Sequence, residues 1–236
     1  MNLADALQKL SYGPLSELSI AGTGSGSVPV ENVPKLVHHI GNALVALYTR
    51  FPLQLRTLEL ETVDGLFEYP LRTAFAQTSS STELNKFIKD SAFDAFTGDV
   101  LKVVGITDVL TGDELPLNRR HDDLSWFITS YDTVRMGYPK TGDRYRIEYR
   151  ARHAPLPVNP TAPEEIELRL PIELEAAFLA HIAGGVYGSM SMEGALAKAQ
   201  GFMATFEGEC SQHENANTWD QHNEPENTRF EQGGWV

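Results

Sequence analysis

Residues able to bind a metal, attack a carbonyl or move a proton are few in this chain, and they are poorly grouped. His121-Asp122-Asp123 offers three potential ligands. Consecutive residues rarely converge on one ion, however, and no partner cluster accompanies them, so a solvated turn is expected. Cys210 and His213 stand one helical turn apart, but zinc needs three or four protein ligands and no second pair is placed to help. His38 and His39 are adjacent and, on a helix, point about 100° apart. The Gly22-Thr23-Gly24-Ser25-Gly26 run lacks the Lys-Ser/Thr of a phosphate loop, follows no good strand and meets Pro29 and Pro34 before its helix. It reads as a mobile loop. There is no Gly-x-Ser-x-Gly elbow. Glu164, Glu165 and Glu167 sit among prolines, where the fixed carboxylate separation of a glycosidase is hard to hold. The expectation is a protein without a catalytic site, cofactor or bound metal.

Two other features stand out. Arg144, Arg146, Arg150 and Arg152 share one parity of a strand with Glu148, a basic stripe in an acidic chain, with Arg119 and Arg120 in a nearby loop. Cross-strand pairing with carboxylates such as Glu59 and Glu61 accounts for such a stripe; the functional alternative is an acidic partner or passing nucleic acid. From about Glu214 the chain is polar and without a period, yet it contains Phe230 and Trp235 close to its end. Such a segment is expected to be extended alone, with aromatics that become anchors when buried by a partner.

The elements that carry these residues follow from periodicity. Residues 2–11 read as a helix capped by Asn2, with Asp5 at its positive end and Leu3, Leu7 and Leu10 on one side. A long helix from about Val33 to Phe51 has Pro34 in its first turn and the stripe Leu36, Val37, Ile40, Leu44, Leu47, Tyr48, Phe51. Gly41 lies inside it, at a cost of about 1 kcal/mol relative to alanine that a close neighbour would offset. The period then changes to two. Thr57–Val63 alternates, Asp64-Gly65 turns, and Leu66–Tyr69 starts a return strand. Further strands are expected at Val100–Leu110, Leu124–Thr129, Thr133–Met136 and Arg144–Arg150. Four prolines between 153 and 163 mark an extended linker, after which helices return. The first starts near Pro171 and is apolar nearly all round; the second is capped by Ser191 and carries Met192, Ala195, Leu196, Ala199, Phe202, Met203, Phe206 and Cys210.

The expected class is α+β. Segments 1–54 and 164–213 form one discontinuous helical bundle, 55–163 an inserted antiparallel β-domain with its Pro-rich linker, and 214–236 an extended tail. Composition bounds the function. In 236 residues, 19 Lys+Arg against 32 Asp+Glu give a formal charge of −13, which argues against a broad nucleic-acid-binding face. One cysteine excludes an internal disulfide framework. No run is long and apolar enough for a membrane span, and the N-terminus lacks the pattern of a signal peptide.

Several of these segments, in this order, resemble the head-to-tail adaptor (connector) proteins of short-tailed and related bacteriophages. They are Asn42–Pro52 with the strand after it, Leu115–Asn118, Tyr149–Leu156, Leu170–Ala177 and the closing Arg229–Val236. The Gly/Ser loop has no counterpart. The resemblance implies a structural virion protein at the head–tail junction, not an enzyme, synthesised in the host cytoplasm. It implies a ring, usually of twelve copies, beneath the portal protein, contacting tail or nozzle proteins and letting genome DNA pass. It also implies that the C-terminal segment reaches the portal through Arg229, Phe230, Trp235 and Val236. The alternatives are a glycan- or peptidoglycan-acting tail protein, which needs converging carboxylates in a cleft, and a different ring component of the same particle.

Overall fold

The computed structural model describes residues 1–119 and 125–216. It has the expected α+β architecture: four α-helices, a four-stranded sheet and a three-stranded sheet, all strands pairing antiparallel. The chain divides into two compact units, one made of Met1–Ala43 with the chain from Val158 onward, the other of Leu44–Pro157.

In the helical unit, α1 (Leu3–Tyr12) opens with a capping box. Asp5 N–H donates to Asn2 Oδ1 at 2.7 Å and Asn2 N–H to Asp5 Oδ2 at 3.1 Å, satisfying two end donors at once. Leu3, Ala6, Leu7 and Leu10 are buried along one side. The start of the chain is pinned to the return segment: Leu3 N–H donates to Ile166 O and Leu168 N–H to Met1 O, both at 2.9 Å. The Gly/Ser run forms a succession of turns. Gly22, Thr23, Gly24 and Gly26 all take positive φ, and Gly26 N–H donates to the buried Ser11 hydroxyl. Glycine suits position 26 because its φ of 77° lies in the left-handed region.

Helix α2 (Val33–Arg50) buries the stripe Leu36, Val37, Ile40, Ala43, Leu44, Leu47 and Tyr48. The close approach that could offset the cost of Gly41 is not seen among the described residues, since outside the helix's own backbone none of their atoms lies within 4 Å of the position its Cβ would take. The division between units falls inside this helix rather than at its end. Its last turns belong with the β-unit: Arg150 donates to the Tyr48 and Thr49 carbonyls, and the His153 ring meets Tyr48 edge-on at 5.5 Å.

A single 3-10 turn, Ile172–Leu174, precedes α3 (Glu175–Gly188). Phe178, Ile182, Ala183 and Val186 are buried on it, as are small residues on its other sides. Helix α4 (Ala195–Asn215) starts three residues later than a Ser191 cap would allow, with Gly194 at the cap. The turn out of α3 needs a left-handed residue there (φ 76°), and glycine supplies it where serine does not. Helices α3 and α4 approach closely at Gly184, where a Cβ would meet Met203 Sδ at 2.8 Å. Tyr187 stacks on Phe202 and His181 meets Phe206 edge-on.

In the β-unit the strands are β1 (Leu55–Glu61), β2 (Glu68–Pro70), β3 (Ile88–Lys89), β4 (Val100–Asp108), β5 (Trp126–Ser130), β6 (Thr133–Met136) and β7 (Arg144–Ala151). The sheets run β3-β1-β7-β4 and β2-β6-β5. This corrects one expectation. The Asp64-Gly65 turn forms, with Leu66 N–H on Val63 O, but it makes no hairpin: β1 pairs with β7 and β3, while β2 crosses to the other sheet. The backbone of Thr62 is taken by Asp143 O and Gly142 N–H, which extends the β1–β7 ladder past the turn. Core faces meet around Trp126, fully buried between Tyr145 (4.9 Å) and Tyr69 (6.0 Å), with Leu60, Ile88, Ile106, Val134 and Ile147. Burial pushes the Tyr145 hydroxyl up to about 12.

Candidate interaction surfaces

The basic stripe lies on the outer face of the four-stranded sheet, because Tyr145, Ile147, Tyr149 and Ala151 use the other parity for the core. Register places Arg144 opposite Glu61 and Arg146 opposite Glu59. Arg144 reaches Glu59 at 3.3 Å and Glu61 at 3.6 Å, and Lys89 from β3 adds a contact to Glu61 at 3.0 Å. Arg150 caps the C-terminal carbonyls of α2, where cations are favoured by the dipole. Arg152 donates to Gly98 O at 2.9 Å. Arg146 is exposed and has no ion-pair partner among the described residues. Most of the stripe therefore ties strands and a helix end together, and Arg146 is the member left facing solvent.

Below this face lies an open polar cleft of about 400 Å³ lined by Glu59, Gln77, Lys89, Asp90, Ser91, Asp94 and Arg144. Its carboxylates are already engaged. Glu59 meets Arg144, Asp94 pairs with Arg56 at 2.9 Å, and Asp90 accepts from Thr78 and from Phe96 N–H. Burial raises the Asp90 carboxyl, but these hydrogen bonds outweigh it and hold the group below its ordinary range. A glycosidase acid needs the opposite shift. Glu164 and Glu165 lie in a 3-10 turn, Pro163–Glu165, and Glu167 forms a bridge with Asn2. The sequence-based carboxylate group is thus not gathered at this cleft.

Other sequence candidates are dispersed. Cys210 is buried in α4, and His213 contacts Glu173 O at 3.0 Å. His38 and His39 sit with ring centroids 5.6 Å apart on α2. In the Gly/Ser loop, the N–H groups of Gly22, Thr23, Ser25 and Ser27 donate within the loop or to the residues just before it and that of Gly26 to Ser11 of α1, so these five are not free to cradle an anion. No group of three or more His, Cys, Asp or Glu among the described residues is placed to hold a metal. Arg120, His121, Asp122 and Asp123, and the tail residues Arg229, Phe230, Trp235 and Val236, lie outside the described residues.

Sequence pattern missed exposed apolar side chains at two separate places on the helical unit, the start of α4 and the entry to α3. Helix α4 buries only the line Ala195, Ala199, Phe206 and Cys210. Leu196 is 67% exposed and Met192, just before the helix, 63%; Ile172 ahead of α3 is 79% exposed. Met192 and Leu196 belong to the helical stripe expected from sequence, and such a stripe looks the same whether its cover is its own chain or another. The β-unit likewise presents Phe93 and Leu84 at loop tips, fully open to solvent.

No known protein family matches the chain, and no curated protein is significantly similar to it. No helix among the described residues is long and apolar enough to cross a membrane.

Proposed function

We propose that this protein is a structural virion component, a head-to-tail adaptor that assembles as a ring beneath the portal and links it to the tail. The observation that carries the reading is the pair of uncovered apolar side chains where α4 begins, Met192 and Leu196, in a chain whose segments, in their order, resemble such adaptors. A monomer gains nothing from exposing these residues, whereas a repeating contact between copies removes them from water at about 25 cal/mol per Å². The reading involves no catalysis. It assigns the C-terminal segment, through Arg229, Phe230, Trp235 and Val236, to the portal, where many weak copies act together. Genome DNA passes the ring without tight binding, because about twelve copies at −13 each give roughly −156 formal charges.

Imaging of assembled particles tests the proposal by counting copies about the axis. A ring of this protein between portal and tail is the expected result; its absence from the particle sinks the reading.

A further inference from the structure

The polar cleft of the β-unit has no part in the proposed role. Its lining comes from Glu59 of β1, Lys89 of β3 with Asp90 after it, and the tight turn Ser91–Asp94, completed by Gln77 and Arg144. These walls are fixed before anything enters. Ser91 and Asp94 exchange both backbone hydrogen bonds, and Asp90 accepts from Thr78 and from Phe96 N–H. The charges are matched as well: Arg144 by Glu59 at 3.3 Å, Lys89 by Glu61 at 3.0 Å and Asp94 by Arg56 at 2.9 Å. Capacity is left over. The pairs run through Glu59 Oε1 and Asp94 Oδ1, which leaves the second oxygen of each carboxylate to accept. The Gln77 side-chain amide makes no hydrogen bond among the described residues. At the tip of the same turn Phe93 stands fully open to solvent, next in sequence to the lining residue Asp94.

We propose that this cleft binds a neutral saccharide, with Phe93 as the platform for a sugar ring and the paired polar lining as its hydrogen-bonding wall. Complementarity selects the class. An apolar ligand has almost nothing in the lining to bury against. A charged ligand must draw Arg144, Glu59 or Asp94 away from partners they already have. A hydroxyl both donates and accepts, so it uses the spare capacity of carboxylate, amide and guanidinium without breaking a pair. Neighbouring hydroxyls on one ring also match the two-atom forks of these groups. The C–H face of a sugar needs a flat apolar partner, and an aromatic side chain supplies one at low cost in conformational entropy. Since the walls are held by their own bonds, little ordering accompanies binding. Binding without cleavage is expected. A cleaving acid must keep its proton, whereas the ion pairs and hydrogen bonds on these carboxylates favour the ionised form. The site is independent of the adaptor reading.

The full-length protein is passed over immobilised maltohexaose, mannohexaose and chitohexaose, with polygalacturonate as the anionic counterpart. Binding to at least one neutral chain is expected. Phe93→Ala is expected to weaken it about tenfold, and Gln77→Ala about fivefold. Both side chains are exposed, so neither substitution is expected to move the thermal midpoint, and the variants report on the cleft rather than on folding. Absence of binding to every neutral chain overturns the site, as does stronger binding to polygalacturonate. Affinity for a neutral chain that survives both substitutions overturns it equally.

Discussion

Asp99 shows how much one carboxylate organises in the β-unit. It is nearly buried, accepts from Arg56 Nη1 at 2.9 Å and from the Tyr149 hydroxyl at 3.0 Å, and its backbone carbonyl accepts from Arg152. Burial first and then the Asp99 charge push the Tyr149 hydroxyl well above the ordinary tyrosine range. Asp99→Ala strands the buried Tyr149 hydroxyl and leaves Arg56 with Asp94 and Thr97, and is expected to lower stability by about 2 kcal/mol, read as a lower urea midpoint. Two glycines give opposite signs for one substitution. At Gly41, mid-helix and with open space at the Cβ position, alanine is expected to stabilise by up to about 1 kcal/mol. At Gly194 the space is equally open, but φ is 76°, so alanine is expected to destabilise by about 1 kcal/mol. Thermal melts of the two variants check both. Agreement in sign would show that the Gly194 cost is not conformational.

Elements differ in how far local signals determine them. The Asn2 cap, the ends of α2 and the alternation of β7 were legible because their causes lie within a few residues: a capping side chain, prolines and a strict period of two. Pairing was not. The Asp64-Gly65 signal correctly marks a turn, but which strand β1 meets is decided by partners such as Tyr145 and Ile147, far along the chain. Strand β3 has two residues and cannot display a period, and the surrounding stretch from 70 to 99 gave no reading. The cleft was illegible for the same reason, since its lining joins β1, β3, β7 and a tight turn at Ser91–Asp94. Ion pairing also joins elements across the second sheet. Asp132, between β5 and β6, accepts from Arg72 Nε at 2.9 Å, with Thr133 and Ser130 hydroxyls beside it. Burial raises its carboxyl, and these partners together outweigh burial, so its folded value lies below 3.8. That contribution to stability is present above the unfolded value and disappears as pH falls through the folded one. Asp132→Asn is expected to remove this part of the acid dependence; an unchanged slope of stability below about pH 4 in the variant would falsify the assignment.

At the scale of the whole molecule, the proposed role makes the tail and the charge balance measurable. Removal of residues 214–236 is expected to abolish joining to a portal ring, read by co-sedimentation, and undiminished joining would remove the tail from the mechanism. The isolated protein is expected to show no tight duplex-DNA binding at moderate salt in a filter or anisotropy assay, as its −13 charge dictates. The uncovered apolar residues were the least legible feature of all. Leu196 and Met192 belong to a stripe whose period is that of any core helix, so sequence alone reports that it seeks cover and not from which chain.

The helical unit is interrupted in sequence by the whole of Leu44–Pro157. A ribosome working at about 5–20 residues per second releases α1 and the start of α2 roughly ten seconds before α3 and α4. For that interval Leu36, Val37 and Ile40, buried in the folded unit, await the later half of that unit. Met192 and Leu196 lie in the segment made after the intervening unit. In the proposed ring, contact between copies through Met192 and Leu196 would therefore wait on the order of translation.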